Sequence, residues 1–251
     1  MNKFLNTFTT GKCEEVLKEL PDESVDLIFT DPPYNVSQKK KSIHNICRHK
    51  DVNFDYGEWD VKFNPLLFLR QSLRVLNPQG SLIVWTSDHL FSFYRKWMDR
   101  YMYFKGMLFW HKTNAVLQFR KIAYRNSVEM MLWASKQAIT KNNSNFIFHK
   151  QEEMTNIFHA PVVMGKERTA HPTQKSLYVC KKIIERHCRK GGIVLDPFSG
   201  SGSISVAAYS LGRNFIGIEK DQKWNEIAKQ RIKEYQIKVE EHTDKFEQIK
   251  F

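Results

Sequence analysis

The chain has 251 residues, and 41% of them are hydrophobic, which suits a globular domain with a substantial core and excludes an intrinsically disordered chain. Its 39 Lys and Arg outnumber 27 Asp and Glu for a formal charge of +12, an excess that favours a polyanionic partner because each neutralised phosphate releases a condensed counterion. Cys13, Cys47, Cys180 and Cys188 form no Cys-x-x-Cys pair, the N-terminus carries no apolar signal core, and no apolar run is long enough for a bilayer. No metal site, disulfide framework or membrane span is therefore expected, and the expected location is the cytoplasm.

A short helix is predicted over Glu14 to Leu20, stopped by Pro21-Asp22. Val25-Asp26-Leu27-Ile28-Phe29 reads as a strand, and it must stop at Asp31-Pro32-Pro33-Tyr34 because two prolines forbid further ladder pairing. From Asn35 to Asp60 the chain is polar and basic, with Lys39, Lys40, Lys41 and Arg48, and residues 35–57 are expected to form a surface loop open to a polyanionic partner. Asn64-Pro65 opens a helix that runs to Leu76 and ends in the turn signal Asn77-Pro78-Gln79-Gly80. A buried-type strand follows at Leu82 to Trp85, and Asp88 can cap a helix reaching about Arg100.

Met107 to Trp110 and Val128 to Trp133 are further strand candidates, while Lys136 to Gly165 is less regular. Ser176 to His187 is an amphipathic helix with Leu177, Cys180, Ile183 and Ile184 on one face. Gly191-Gly192 ends it. Then come the strand Ile193 to Leu195, a glycine loop, a helix from Ser203 to Leu211, the strand Phe215 to Ile218 and a last helix beginning near Trp224. Strands alternating with helices argue for an α/β fold with a largely parallel sheet.

Two segments carry chemistry. Asp196-Pro197-Phe198-Ser199-Gly200-Ser201-Gly202-Ser203 lies between a strand and a helix, where glycines let a ligand approach the backbone and the helix offers free N–H groups. Glu219 ends the next strand, placed to grip ribose hydroxyls. The third glycine of the dinucleotide fingerprint is missing, and Asp196 would repel a pyrophosphate but hold the ammonium of an amino-acid-like ligand. This favours S-adenosylmethionine over a nicotinamide dinucleotide.

Asp31, at the end of its strand, belongs at the ligand-binding edge of the sheet. An exocyclic base amine is a poor nucleophile because its lone pair is delocalised into the ring. The Asp31 carboxylate and the Pro32 carbonyl can grip its N–H groups, Pro32 and Pro33 stiffen the backbone, and Tyr34 offers a face for stacking an extruded base.

Together these segments resemble the amino-methyltransferases of DNA, and their order resembles the beta group of that family, the adenine-N6 and cytosine-N4 enzymes of small restriction–modification systems. His171-Pro172-Thr173-Gln174-Lys175 looks like that group's cofactor-flanking motif, and Ser24 to Asp26, Gly57 to Asp60, Asn77 to Trp85, Trp110 to Lys112 and Arg125 to Lys136 are similar too. Ser176 and Ser203 replace the proline and threonine many relatives carry. The resemblance implies one domain, 1–251, with a doubly wound, mostly parallel, seven-stranded Rossmann-like methyltransferase sheet, circularly permuted, and a small DNA-recognition insert at about 112–170.

It further implies that Asp31, Pro32, Pro33 and Tyr34 are catalytic. Asp31, Asp196, Phe198, Ser199, Gly200, Ser201, Gly202 and Glu219 would line the cofactor, with Thr173 and Lys175 near its carboxylate. The partner would be double-stranded DNA, contacted by Lys39, Lys40, Lys41, Arg48, Lys112, Arg120, Lys121 and Arg125; a homodimer and a cognate restriction endonuclease are further candidates. Asp at the first motif position leans towards adenine N6; cytosine N4, an RNA substrate and a non-catalytic DNA-binding subunit are the alternatives. Glu129 is expected to anchor a loop, and His171 to act as a structural hydrogen-bonding group.

Overall fold

The computed structural model describes residues 1–34, 63–119, 121–138, 140 and 144–248. The expected loop 35–57 lies outside them, as do Lys39, Lys40, Lys41, Arg48, Arg120, Cys47 and Trp59. In chain order the elements are β1 (Thr7–Thr10), α1 (Cys13–Val16), β2 (Val25–Thr30), α2 (Pro65–Val75), β3 (Leu76–Thr86), α3 (Asp88–Tyr101), β4 (Tyr103–Lys112) and β5 (Val128–Ser135). They continue with β6 (Ile157–Ala160), α4 (Leu177–His187), β7 (Ile193–Asp196), α5 (Ser203–Ser210), β8 (Asn214–Glu219) and α6 (Gln222–Gln248). Among the described residues, no helix is long and apolar enough to cross a membrane.

The strands form one sheet in the order β1-β8-β7-β2-β3-β5-β4-β6. Every neighbouring pair is parallel except β3–β5 and β5–β4. Strand residues alternate between two apolar layers, as a period of two demands. Leu27, Phe29, Ile83, Trp85 and Phe215 face α4, α5 and the start of α6 through Val179, Ile183, Val206, Ala207 and Ala228. Ile28, Leu82, Val84, Leu195 and Ile216 face α1, α2 and α3 through Val16, Phe68, Leu69, Tyr94 and Met98. Helices on both faces are what a parallel sheet needs, since it is buried on both sides.

Among the described residues the sheet has eight strands, where seven were expected. β1 is four residues with Phe8 as its one large apolar side chain, and β6 is an edge strand of four residues inside the irregular stretch, so neither has a run long enough to be read from sequence. The Asn77–Gly80 turn is also corrected. These residues stay in β3 as a bulge, with Val25 opposite Leu76 and Leu27 already opposite Ser81. Asp26 clamps the bulge: its Oδ1 accepts from Asn77 Nδ2 (2.8 Å) and Asn145 Nδ2 (3.2 Å), and its Oδ2 from the Ile193 amide (2.7 Å). Ser87, and not Asp88, occupies the N-cap position of α3. The 112–170 stretch is not one separate insert, because β5 within it lies between β3 and β4 in the body of the sheet.

Candidate active site

β7 and β2 are adjacent, yet the chain leaves them on opposite faces: α5 follows β7 on one face and α2 lies between β2 and β3 on the other. Such a switch opens a crevice at the carboxyl ends of the strands. Asp31 stands directly after β2, Asp196 ends β7 and Glu219 ends β8. The Thr30 hydroxyl donates to Asp196 Oδ1 at 2.7 Å, tying the two acidic strand ends together. The crevice opens into a cleft of about 1240 Å³ that Asp31, Pro32, Pro33, Tyr34, Asp196 and Glu219 all line.

On one side the glycine loop is held by backbone bonds to the acid beside it. The Gly200 amide donates to Glu219 Oε2 at 2.8 Å and the Asp221 amide to Oε1 at 3.0 Å. Gly200 and Gly202 adopt φ of +48° and +77°, where a side chain is strained. A Cβ on Gly200 would stand 2.8 Å from His171 Nε2, and one on Gly202 would stand 2.8 Å from Ala228 Cβ. The first glycine therefore keeps the cleft wall open, and the second lets α5 close on α6.

Burial disfavours the charged form of both strand-end carboxyls, a cost that a cationic ligand would offset. Burial pushes the Asp196 carboxyl up to about 7, although the Thr30 hydroxyl and the Phe198 amide pull it down. Burial also raises Glu219 against the amides it accepts from. Ser199 Oγ and His171 Nδ1 are buried without a partner among the described residues. His171 packs edge-on against Trp224, ring centroids 4.7 Å apart, and burial, then the nearby Lys175, lower its pKa to about 4, so the ring is neutral.

The other side of the cleft is a chain of alternating charges. The Tyr34 hydroxyl donates to Asp31 Oδ1 at 2.5 Å, and Lys175 Nζ donates to Asp31 Oδ2. Lys175 lies 3.3 Å from Glu129 Oε2, and Lys112 pairs with Glu129 Oε1 at 2.7 Å. Lys175 also sits 5.1 Å from the centroid of the Trp85 ring. Burial alone would lower the Lys175 ammonium, but Asp31 and Glu129 outweigh it and raise its pKa. Burial would likewise raise Glu129, yet its two lysines hold it below the usual carboxylate range. Asp31 is raised by burial against the pull of Lys175 and Tyr34. The Tyr34 carbonyl is 2.6 Å from His89 Nε2, which braces the motif from α3.

Lys112, Glu129, Thr173 and Lys175 all line the cleft. Lys112, expected on DNA, is half-buried and pairs with Glu129. Glu129, expected to anchor a loop, is a wall of the cleft. Lys175, expected at the cofactor's carboxylate, lies on Asp31, while Thr173 lines the cleft half-buried. Phe198, Ser199, Gly200 and Ser201, expected to line the cofactor, line the cleft; Phe198 also packs edge-on against Phe68, centroids 5.1 Å apart. Gly202 lies behind the cleft surface as the N-cap of α5. Lys121 and Arg125 are exposed in the loop between β4 and β5. Trp224, named in the sequence only as the start of the last helix, also lines the cleft. The signal for Glu129 was present, since a carboxylate in the apolar run Val128 to Trp133 needs a buried partner.

Comparison with known proteins agrees with this geometry. Residues 25–230 match the family described as DNA methylase, the N6 and N4 methyltransferases. The chain is 34% identical to the Type II methyltransferase M.HinfI of Haemophilus influenzae over 93% of its own length and 70% of that protein's. It is 30% identical to the Type II methyltransferase M2.MboI of Moraxella bovis, covering 89% of this chain and 86% of that one. Among solved structures it resembles the M1.HpyAVI–SAM complex, with a TM-score of 0.70 at 28% identity over 90% of this chain and 98% of that one.

Proposed function

Since the chain belongs to the DNA methylase family and is an S-adenosylmethionine-dependent, site-specific DNA methyltransferase, we propose that its target is the N6 amino group of an adenine flipped out of double-stranded DNA. The observation that carries the reading is the meeting of the Asp31-Pro32-Pro33-Tyr34 motif with Asp196 and Glu219 in one cleft at one edge of the sheet. Its volume of about 1240 Å³ exceeds the usual range for a single small ligand, which suits a cofactor with a base beside it.

S-adenosylmethionine fits the donor set. Buried Asp196 and half-buried Glu219 suit an ammonium and a pair of ribose hydroxyls, the unpartnered Ser199 hydroxyl offers one more contact, and Gly200, bare of a side chain at the cleft wall, lets a ligand approach the backbone. When bound, it supplies a methyl group already activated by its sulfonium.

The chain's own residues do the rest. Asp31 and the Pro32 carbonyl accept the two N–H groups of the base amine and draw its nitrogen towards tetrahedral geometry. Pro32 and Pro33 keep these acceptors fixed, so little reorganisation is needed at the moment of transfer. Tyr34 holds Asp31 through its hydroxyl and offers its ring to the base. The arriving amine competes with Lys175 for Asp31 Oδ2, and Glu129, 3.3 Å from Lys175, keeps that ammonium compensated as it yields. Lys121 and Arg125 belong to the DNA-contacting surface. The proposal extends to a cytoplasmic location, a homodimer and a restriction endonuclease of the same specificity; the Type II relatives support the last.

The experiment is transfer of labelled methyl from S-adenosylmethionine to unmethylated genomic DNA by wild type and Asp31→Ala, followed by nucleoside analysis. Label in N6-methyladenine, lost in the variant, is expected. Label in N4-methylcytosine would overturn the base, and label retained by Asp31→Ala would overturn the role of the motif.

A further inference from the structure

The hairpin that joins β4 to β5 has an unusual surface. β5 runs antiparallel to β3 with Met130 opposite Thr86, and β4 antiparallel to β5 with His111 opposite Val128. The end of β4 and the start of β5 therefore lie at the carboxyl edge of β3, the edge at which Asp31 stands. Residues 113–119 and 121–127 belong to the connection between these strands at the rim of the cleft, which Val116, Asn126 and Val128 line.

The base of this connection is pinned. The Lys112 amide donates to the Ser127 carbonyl at 2.7 Å, the Arg125 guanidinium donates to the Ala115 carbonyl, and Asn114 Oδ1 accepts from the Val162 amide at 2.7 Å. Its tip is a tight turn in which the Lys121 amide donates to the Gln118 carbonyl at 3.2 Å, with Lys121 at φ +54°. At and beside the tip, apolar side chains face solvent: Phe119 is 81% exposed, Ile122 79% and Tyr124 98%, beside exposed Val116 and Leu117. Soluble proteins rarely leave such a concentration of apolar surface uncovered without a binding role.

Flipping a base leaves a gap in the stack, and apolar side chains driven between base steps are a general means of filling one. A pinned finger at the rim of the base-accepting cleft, apolar at its tip and carrying Lys121 and Arg125 for the flanking phosphates, has the form that task needs. We propose that residues 116–119 and 121–124 of this finger enter the duplex at the target and that Phe119 and Tyr124 occupy the space the extruded base vacates. This rests on the methyl-transfer reading above and adds the means by which the base is kept out.

The test begins by mapping the modified sequence in DNA methylated by the wild-type enzyme, which would itself fail if the methyl-transfer reading were wrong. Wild type, Phe119→Ala and Tyr124→Ala are then compared on two duplexes of that sequence, one fully paired and one with an abasic site opposite the target. A third duplex carries 2-aminopurine at the target to report extrusion by fluorescence. Each variant is expected to lose about tenfold or more in kcat/KM on the paired duplex, with weaker 2-aminopurine fluorescence. It should lose less than about threefold opposite the abasic site, where extrusion costs little. Affinity for S-adenosylmethionine should be unchanged. Equal losses on both duplexes would overturn the proposal, as would no loss, and so would a change in sedimentation showing that the finger joins two copies of this chain.

Discussion

Lys175→Met is the sharpest test of how the cleft is balanced. Lys175 is the one cation paired with Asp31 among the described residues, and their side chains are 8% and 18% exposed. Removing it leaves Asp31 with the Tyr34 hydroxyl alone, while Glu129 keeps Lys112. Breaking a buried ion pair costs about 3–5 kcal/mol; partial exposure and proton uptake by Asp31 place this loss near 3 kcal/mol. For a chain of this length that lowers Tm by roughly 6–12 °C.

The pH dependence follows from the directions of the shifts. Burial already raises Asp31, and without Lys175 it rises further. A carboxyl raised on folding costs nothing while both states are protonated. It costs progressively more as pH climbs from the unfolded value, about 4, to the folded one, and a constant amount above. The Lys175 ammonium, raised by its two carboxylates, contributes fully throughout that window and loses its contribution only at still higher pH. Unfolding of the variant by denaturant at several pH values should therefore show a deficit that grows with pH and then levels off. Adding Asp31→Asn removes the stranded charge, so the double variant should be more stable than additivity predicts by about 1–3 kcal/mol. Additive losses, or a deficit independent of pH, would refute this account of the pair.

Three further outcomes are expected. Calorimetric affinity for S-adenosylmethionine should fall roughly tenfold per pH unit once pH drops below the Asp196 value of about 7, because only the carboxylate form holds an ammonium; Asp196→Asn should bind weakly with no such dependence. Gly200→Ala should weaken cofactor binding and cost about 1–3 kcal/mol of stability, since it strains a residue at φ +48° and pushes on His171. Asp26→Ala strands two side-chain amides and the Ile193 amide at the junction of β2, β3 and β7; urea unfolding should show a loss of about 2–4 kcal/mol, with the cofactor still bound by whatever fraction remains folded.

Local chemistry made much of this protein readable from its residues. Asp31-Pro32-Pro33-Tyr34 ends a strand because proline has no ladder donor, and the glycine loop from Asp196 to Gly202 lies between a strand and a helix because its turn needs positive φ. Both motifs, their order and the strand–helix alternation are properties of short segments, and each segment carries its own instruction. The charge chain is different. Lys112, Glu129 and Lys175 are far apart in sequence, and nothing local says that they meet. They meet because the sheet order puts β5 between β3 and β4, bringing Glu129 between Lys112 on the neighbouring strand and Lys175 at the approach to α4, beside Asp31. Only there does burial turn ordinary surface residue types into partners, since a charge taken out of water must find its opposite. The same long-range ordering made strands of Thr7–Thr10 and Ile157–Ala160, whose own residues do not demand it: an open sheet edge recruits them.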